Sequence, residues 1–326
     1  MTLLTAIQPN IAELVSRWGS SAAISLLDPN CEIFSIPELD GAIGYRSVSG
    51  NHVVYGEPVC SPDDYEMLVQ AFHTFSQSRN KSVIYLTVCP PFMNWAMGKH
   101  CGALIEIGME LYVDPQNDVA EGSKGRIIRK KMNHSEKMGV EAFEYIPYDE
   151  AIEKQIYAVT DAWLKNQSGP RAVASQAQPL TPREGKRWFY AMCRGKMVGT
   201  LVMTRLDFHN GWLVYLLMIT PDAPNGTSER LIVTAIETLR EEGCRFLSFG
   251  PSPGAELGEI VGLGRTSSWI ARKVFKTGTK YFDVHGAREY WLKFQPKAIP
   301  SYFLFSASTL GLREIYGIIR AFNPST

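Results

Sequence analysis

Between Trp212 and Gly254 the chain reads as a strand, a turn-rich loop, an amphipathic helix and a second strand closed by glycine and proline. Few arrangements satisfy that order. Trp212 to Ile219 is apolar and β-prone, Pro221 to Thr227 (P-D-A-P-N-G-T) is turn chemistry, and Ser228 to Gly243 carries Leu231, Ile232, Ala235, Ile236 and Leu239 at helical spacing. Arg245 to Phe249 is a short strand that Gly250, Pro251 and Pro253 stop. A helix that directly follows a Gly-containing loop leaves unpaired N–H groups at its start, which suit a phosphate or a polarised carbonyl. Asn225, Gly226 and Thr227 are expected to present such amides, with Thr227 or Ser228 as the helix cap. A plain strand-to-helix turn is the competing account.

With 326 residues, 45% hydrophobic and 20% charged, the chain has material for two full cores. The six cysteines, Cys31, Cys60, Cys89, Cys101, Cys193 and Cys244, have no C-x-x-C spacing, so neither a metal site nor a disulfide framework is expected. No export signal and no apolar run of about 18 residues is visible, and a cytoplasmic protein is expected. The zero net charge hides a gradient: residues 1–123 hold 5 Lys/Arg against 14 Asp/Glu, and residues 265–326 hold 10 against 3. The basic end, with Lys124, Arg126, Arg129, Lys130, Lys131 and Lys137, suits a polyanion such as tRNA or anionic headgroups. Solvated helix faces explain such clusters equally well.

Along the chain, a helix at Ile11 to Arg17 precedes a meander (Glu32 to Ile36, Ala42 to Val48, His52 to Tyr55), a helix at Asp63 to Gln77 and a strand at Ser82 to Cys89. A short helix at residues 93–99 and a strand from Cys101 to Val113 follow. Gly122 to Gly139 is expected to be a linking helix with Arg126, Arg129, Lys130, Asn133 and Lys137 on one side. Then come a helix at Asp149 to Leu164 and a hairpin of Arg187 to Cys193 with Met197 to Leu206 around Arg194-Gly195. Element order thus suggests two copies of one acyltransferase-like fold. Ala298 to Phe322 is expected to form an amphipathic segment that packs on its own domain or lies on a bilayer surface.

Five pieces, in order over roughly 240 residues, carry a family resemblance. They are Tyr55 to Val59 (Y-G-E-P-V), Gly122 to Asn133 (G-S-K-G-R-I-I-R-K-K-M-N), Ala223 to Thr227 (A-P-N-G-T), Ser248 to Pro253 (S-F-G-P-S-P) and Phe282 to Pro296 (F-D-V-H-G-A-R-E-Y-W-L-K-F-Q-P). The chain resembles the C-terminal synthase domain of phosphatidylglycerol lysyltransferases and alanyltransferases, which move an amino acid from aminoacyl-tRNA to a lipid. The resemblance implies an α/β (α+β) fold of two tandem GNAT-like (acyl-CoA N-acyltransferase-like) domains joined by a basic helix: residues 1–121, the link at 122–145 and residues 146–326. It implies a stand-alone form without the family's membrane flippase, aminoacyl-tRNA and an anionic lipid or membrane surface as partners, and neither metal nor cofactor.

The resemblance also assigns residues. Glu229 takes the family's acidic position in the first helical turn, to bind an amino group or act as base, although the helix dipole alone favours a carboxylate there. Arg129, Asn133 and Lys293 fall at positions that would hold tRNA or lipid phosphate, with Arg288 and Tyr290 as second choices and Ser248 and Gly250 in the matched strand end. His285 reads as a strand-end residue rather than a base. Where the family has Asp and Arg ahead of the loop, this chain has Tyr215 and Met218, which opens the identity of the donor and turnover itself. Two alternatives stand beside aminoacyl transfer. One is an acyl-CoA-dependent GNAT enzyme, opposed by Pro224, which removes an N–H from the loop that would clasp a pyrophosphate. The other is a non-catalytic tRNA- or lipid-binding protein.

Overall fold

The computed structural model describes residues 10–146, 149–166, 179–281, 284–308 and 310–322. In chain order the elements are α1 (Ile11–Trp18), β1 (Glu32–Phe34), β2 (Ile43–Val48), β3 (Asn51–Tyr55), α2 (Tyr65–Ser78), β4 (Ser82–Val88), α3 (Pro90–Ala96), β5 (Ala103–Val113), α4 (Arg126–Lys137), β6 (Val140–Tyr145) and α5 (Glu150–Asn166). They continue with β7 (Lys186–Cys193), β8 (Lys196–Leu206), β9 (Gly211–Ile219), α6 (Thr227–Glu241), β10 (Leu247–Pro253), β11 (Ile260–Val261), α7 (Arg265–Tyr281), α8 (Val284–Leu292), β12 (Lys297–Phe305) and α9 (Leu312–Phe322). The chain is a mixed α/β protein. It divides into two compact units that are not sequential halves: Met1–Glu110, Pro251–Val284 and Ile299–Thr326 make the first, and Leu111–Gly250 with His285–Ala298 the second. These bounds differ from the expected residues 121 and 145, and the chain re-enters the first unit at Pro251, within β10.

In the first unit the strand order is β1-β2-β3-β4-β12-β5, with β11 paired to β5. The meander is antiparallel through β3, and β3 then pairs parallel with β4. Every residue of β3 is buried, as befits a parallel strand covered on both faces. On one side lie Phe72, Leu68 and Val69 of α2 with Phe92 of α3; on the other lie Ile315 and Ala321 of α9 with Ala271 of α7. The segment expected as an amphipathic helix is split. Lys297–Phe305 is strand β12, antiparallel to β4, and only Leu312–Phe322 is helical. A short apolar run does not by itself tell a buried strand from a buried helix. Tyr55 fastens α9 by donating to the Ala321 carbonyl at 2.9 Å, so the helix spends apolar surface on its own unit, while Tyr316 and Ile319 stay exposed.

In the second unit the strand order is β10-β9-β8-β7-β6. The β7–β8 hairpin turns on Arg194 (φ 51°) and Gly195 (φ 81°), the two positive φ values that a two-residue hairpin with native strand twist demands. Helix α6 connects β9 to β10, which pair in parallel, and buries Leu231, Ile232, Ala235, Ile236 and Leu239, the stripe read from spacing. At roughly 1.5–3 kcal/mol for each fully buried large aliphatic side chain, this stripe fixes the helix on the sheet. The first turn of α6 is thereby held where the site is built.

Candidate active site at the start of helix α6

The loop ahead of α6 is shaped by α4. Gly226 has φ 97°, and a Cβ there would stand 2.2 Å from the Lys131 carbonyl oxygen, so conformation and space both require glycine. The Lys131 ammonium donates to Asn225 Oδ1 at 2.6 Å. Thr227 corrects the expectation for this loop: its amide and its hydroxyl both donate to the Pro224 carbonyl, at 3.2 and 2.7 Å. It is therefore an internal brace, neither a helix cap nor an open donor. Ser228 is no cap either, since its hydroxyl donates to Glu229 Oε2 at 2.9 Å and α6 has no side-chain cap. The amides of Asn225, Gly226 and Ser228 donate to no backbone carbonyl among the described residues. A helix start with free N–H groups is electropositive and receives an anion or a carbonyl oxygen.

Glu229 turns inward from that first turn and is 3% exposed. Its Oε1 accepts a hydrogen bond from Lys293, which follows α8, and the two form a buried ion pair. Burial pushes the Glu229 carboxyl up, but the Lys293 hydrogen bond and charge, with Ser228, outweigh it and hold the group below its ordinary value. The Lys293 ammonium also lies over the Tyr290 ring, 3.7 Å from its centroid. An aromatic wall completes the surroundings: Phe249 stacks on Trp291 (4.5 Å, 13°) and packs against Phe294 (5.6 Å), which is wholly buried. The Tyr290 hydroxyl is buried with no hydrogen-bond partner of good geometry. Its pKa is raised by burial and by the Glu229 charge, against a smaller lowering by Ser228, so it remains a protonated donor.

Other expected residues take different places. Ser248 is fully buried and its hydroxyl oxygen accepts from the Gly250 amide at 2.9 Å, while Gly250 has φ 82°; together they shape the turn of β10. Arg129 donates to the carbonyls of Ala120 and Gly122, bracing the chain that leads into α4. Asn133 is exposed on α4 and Arg288 is half-buried on α8. His285 lies in helix α8, which corrects the strand-end reading. Met218 is fully buried in an apolar cluster, and the Tyr215 ring faces the ammonium of Lys186 at 4.8 Å. Sequence reasoning missed Lys131 as the clamp on the loop and the partnership of Lys293 with Glu229, because both depend on which distant elements meet.

Among the described residues no group of three or more His, Cys, Asp or Glu is gathered as for a metal ion, and no helix is long and apolar enough to cross a membrane. The buried carboxylate–ammonium pair thus stands at a helix start within a mixed α/β fold. The chain matches the family described as phosphatidylglycerol lysyltransferase, C-terminal, over residues 12–305, and it belongs to that family. The expected family is borne out. The phosphatidylglycerol lysyltransferase of Staphylococcus epidermidis is 20% identical over 297 residues, covering 90% of this chain and 35% of that protein. The Bacillus subtilis phosphatidylglycerol lysyltransferase is 21% identical over 258 residues, covering 78% and 29%. The chain thus spans about a third of the length of these relatives. Among solved structures, L-PGS from Bacillus licheniformis superposes with a TM-score of 0.78 at 16% identity, covering 97% of this chain and 96% of that one. The C-terminal domain of a lysylphosphatidylglycerol synthetase from Agrobacterium fabrum gives 0.73 at 18% identity, covering 97% and 94%. These likenesses show the fold.

Proposed function

We propose that this chain transfers an aminoacyl group from aminoacyl-tRNA to the hydroxyl of a phosphatidylglycerol-like lipid, at the cytoplasmic face of a membrane, and that each unit is a GNAT-like domain. The observation that carries the reading is the Glu229–Lys293 pair beneath the open amides of the α6 start. In this reaction the acceptor oxygen forms a bond to the ester carbonyl carbon, and the bond from that carbon to the terminal ribose oxygen breaks. The proton of the acceptor hydroxyl ends on the departing ribose oxygen, so no net proton is taken up. Negative charge that develops on the carbonyl oxygen is met by fixed N–H dipoles of the kind left open at Gly226 and Ser228.

A carboxylate held below its ordinary pKa is a poor proton acceptor, so Glu229 serves as an anionic anchor for the α-ammonium of the aminoacyl group and for Lys293. Lys293 in turn offers positive charge to a phosphate or to the developing oxyanion. The exposed cations of α4, Arg126 and Lys130, supply the electrostatic surface for a polyanionic donor. The homologues named phosphatidylglycerol lysyltransferase support the lipid acceptor.

The test is incubation of the chain with membrane lipids and a mixture of radiolabelled aminoacyl-tRNAs, with acetyl-CoA in a parallel reaction, followed by organic extraction. Label entering the lipid phase only when charged tRNA is supplied is the expected result. Transfer from acetyl-CoA alone, or tRNA retention with no transfer, would replace this reading by the acyl-CoA enzyme or the binding protein.

A further inference from the structure

The second unit carries a buried polar row that the site at α6 does not use. Lys186 of β7 pairs in register with Thr204 of β8, Thr204 with Leu213 of β9, and Leu213 with Ser248 of β10. Register partners on adjacent strands point to the same side of a sheet, so Lys186, Thr204 and Ser248 share one face. Phe249, the neighbour of Ser248 along β10, points to the opposite face, where it stacks on Trp291 beside Lys293. The Lys186 row is therefore separate from the Glu229–Lys293 pair.

All three polar residues of the row are at least nine-tenths buried: Lys186 is 8% exposed, Thr204 6% and Ser248 0%. The Lys186 ammonium donates to the Thr181 carbonyl at 3.0 Å and rests over the Tyr215 ring. Among the described residues it has no ion-pair partner, and the Thr204 hydroxyl is buried with no hydrogen-bond partner. An ammonium has three N–H donors and the carbonyl takes one. Burying a cation without a counter-charge is costly, and unpartnered buried hydroxyls are rare in folded proteins. Two such groups paired across neighbouring strands have the same complement: an oxygen anion that accepts from both. Burial lowers the lysine pKa to about 8, which still leaves it largely a cation near neutrality.

We propose that Lys186 and Thr204 form a subsite for an anionic oxygen group, a carboxylate or a phosphate, carried by a substrate of this chain. The side-chain carboxylate of an acidic aminoacyl group and the phosphodiester of a lipid headgroup both present that chemistry. Tyr215 then limits the subsite on one side and supports the ammonium through its ring face. The proposal goes beyond the transfer reading and is measured by binding, so either can fail without the other.

Isothermal titration of the full chain at pH 7 uses three probes: aspartic acid α-methyl ester, asparagine methyl ester and glycerophosphoglycerol. The expected result is saturable binding of one anionic probe, at least tenfold weaker for Lys186→Met and several-fold weaker for Thr204→Val, with asparagine methyl ester not binding. Binding of the aspartyl ester identifies an acidic aminoacyl group, and binding of glycerophosphoglycerol identifies the headgroup. No binding of either anion at concentrations up to about 10 mM, where even a weak subsite fills, or equal binding by wild type and both folded variants, overturns the proposal and leaves Lys186 as a brace on the Thr181 carbonyl. Should Lys186→Met fail to melt cooperatively, Lys186→Gln and Thr204→Val carry the same comparison.

Discussion

Lys293 and Glu229 stand 64 positions apart in the chain and meet in a buried hydrogen-bonded ion pair at the first turn of α6. Taking one partner away leaves an uncompensated charge, which is worse than taking both. Lys293→Met is expected to lower unfolding free energy by roughly 3–5 kcal/mol, and Glu229→Gln/Lys293→Met to recover part of it. Urea denaturation of the two single variants and the double completes the cycle. Because Lys293 holds the carboxyl below its unfolded value of 4.5, the stability it contributes is present above that pH and is lost as pH falls through the lower folded value. An acid titration of Glu229→Gln should lack that loss.

Gly226→Ala places a methyl group against the Lys131 carbonyl in a left-handed backbone position. A destabilisation of about 1–3 kcal/mol is expected from the backbone conformation alone, with a further cost for the clash. Gly243→Ala is the control, since its φ is also positive, at 75°, but its Cβ would meet nothing within 4 Å. Equal melting temperatures for the two variants would show that α4 does not press on this loop.

The first unit should weaken in mild acid. Burial, aided by Lys81, pushes His52 down to about 4, and burial with His100 nearby does the same to His73. Both are satisfied as neutral rings, His52 Nδ1 on Ser76 Oγ at 2.8 Å and His73 Nε2 on Tyr85 OH at 3.1 Å. Between about pH 6.5 and 4 the unfolded chain binds protons that the folded rings refuse, so stability falls with falling pH by up to about 3 kcal/mol per ring. Thermal melts across that range should flatten in His52→Gln/His73→Gln. A slope unchanged from wild type would remove these rings as the cause.

For Lys186 the sign is the same, but the window lies higher. Its folded pKa of about 8 lies below the unfolded 10.5, so charge burial costs most below pH 8 and the cost is relieved as pH rises toward 10.5. Lys186→Met is expected to be the more stable protein at pH 7, by up to about 3 kcal/mol, with the gap closing by pH 10. Differential scanning calorimetry at the two pH values reads the difference directly.

Charge reversal at Arg126 and Lys130, both exposed on α4, should weaken tRNA retention without altering the melting temperature. The slope of log affinity against log salt should fall by about 1 for each phosphate that is no longer neutralised. Arg129→Gln behaves differently, because that side chain braces the Ala120 and Gly122 carbonyls and its removal shows first in stability. Filter binding at several salt concentrations beside thermal melts separates the two roles.

Most of the elements were legible because their signals are local. The α6 stripe from Leu231 to Leu239 follows helical spacing, and Arg194-Gly195 marks a two-residue hairpin turn in any context. The family was legible from five motif pieces in order, and the match over residues 12–305 agrees. The candidate carboxylate Glu229 was named by that resemblance, and it lies in the first turn of α6.

What the sequence could not carry were the pairings between residues distant along the chain. That Thr227 spends its donors on Pro224, that Lys131 clamps Asn225 and that Lys293 charges Glu229 follow from how α4, α6 and the end of α8 meet. The split of Ala298 to Phe322 into β12 and α9 was likewise decided by the place waiting beside β4. Periodicity and turn chemistry are properties of neighbours in the chain, so the sequence alone determined where helices, turns and candidate groups lie. Burial, charge pairing and the choice of donors left open depend on which surfaces come together, and only the tertiary structure decided those.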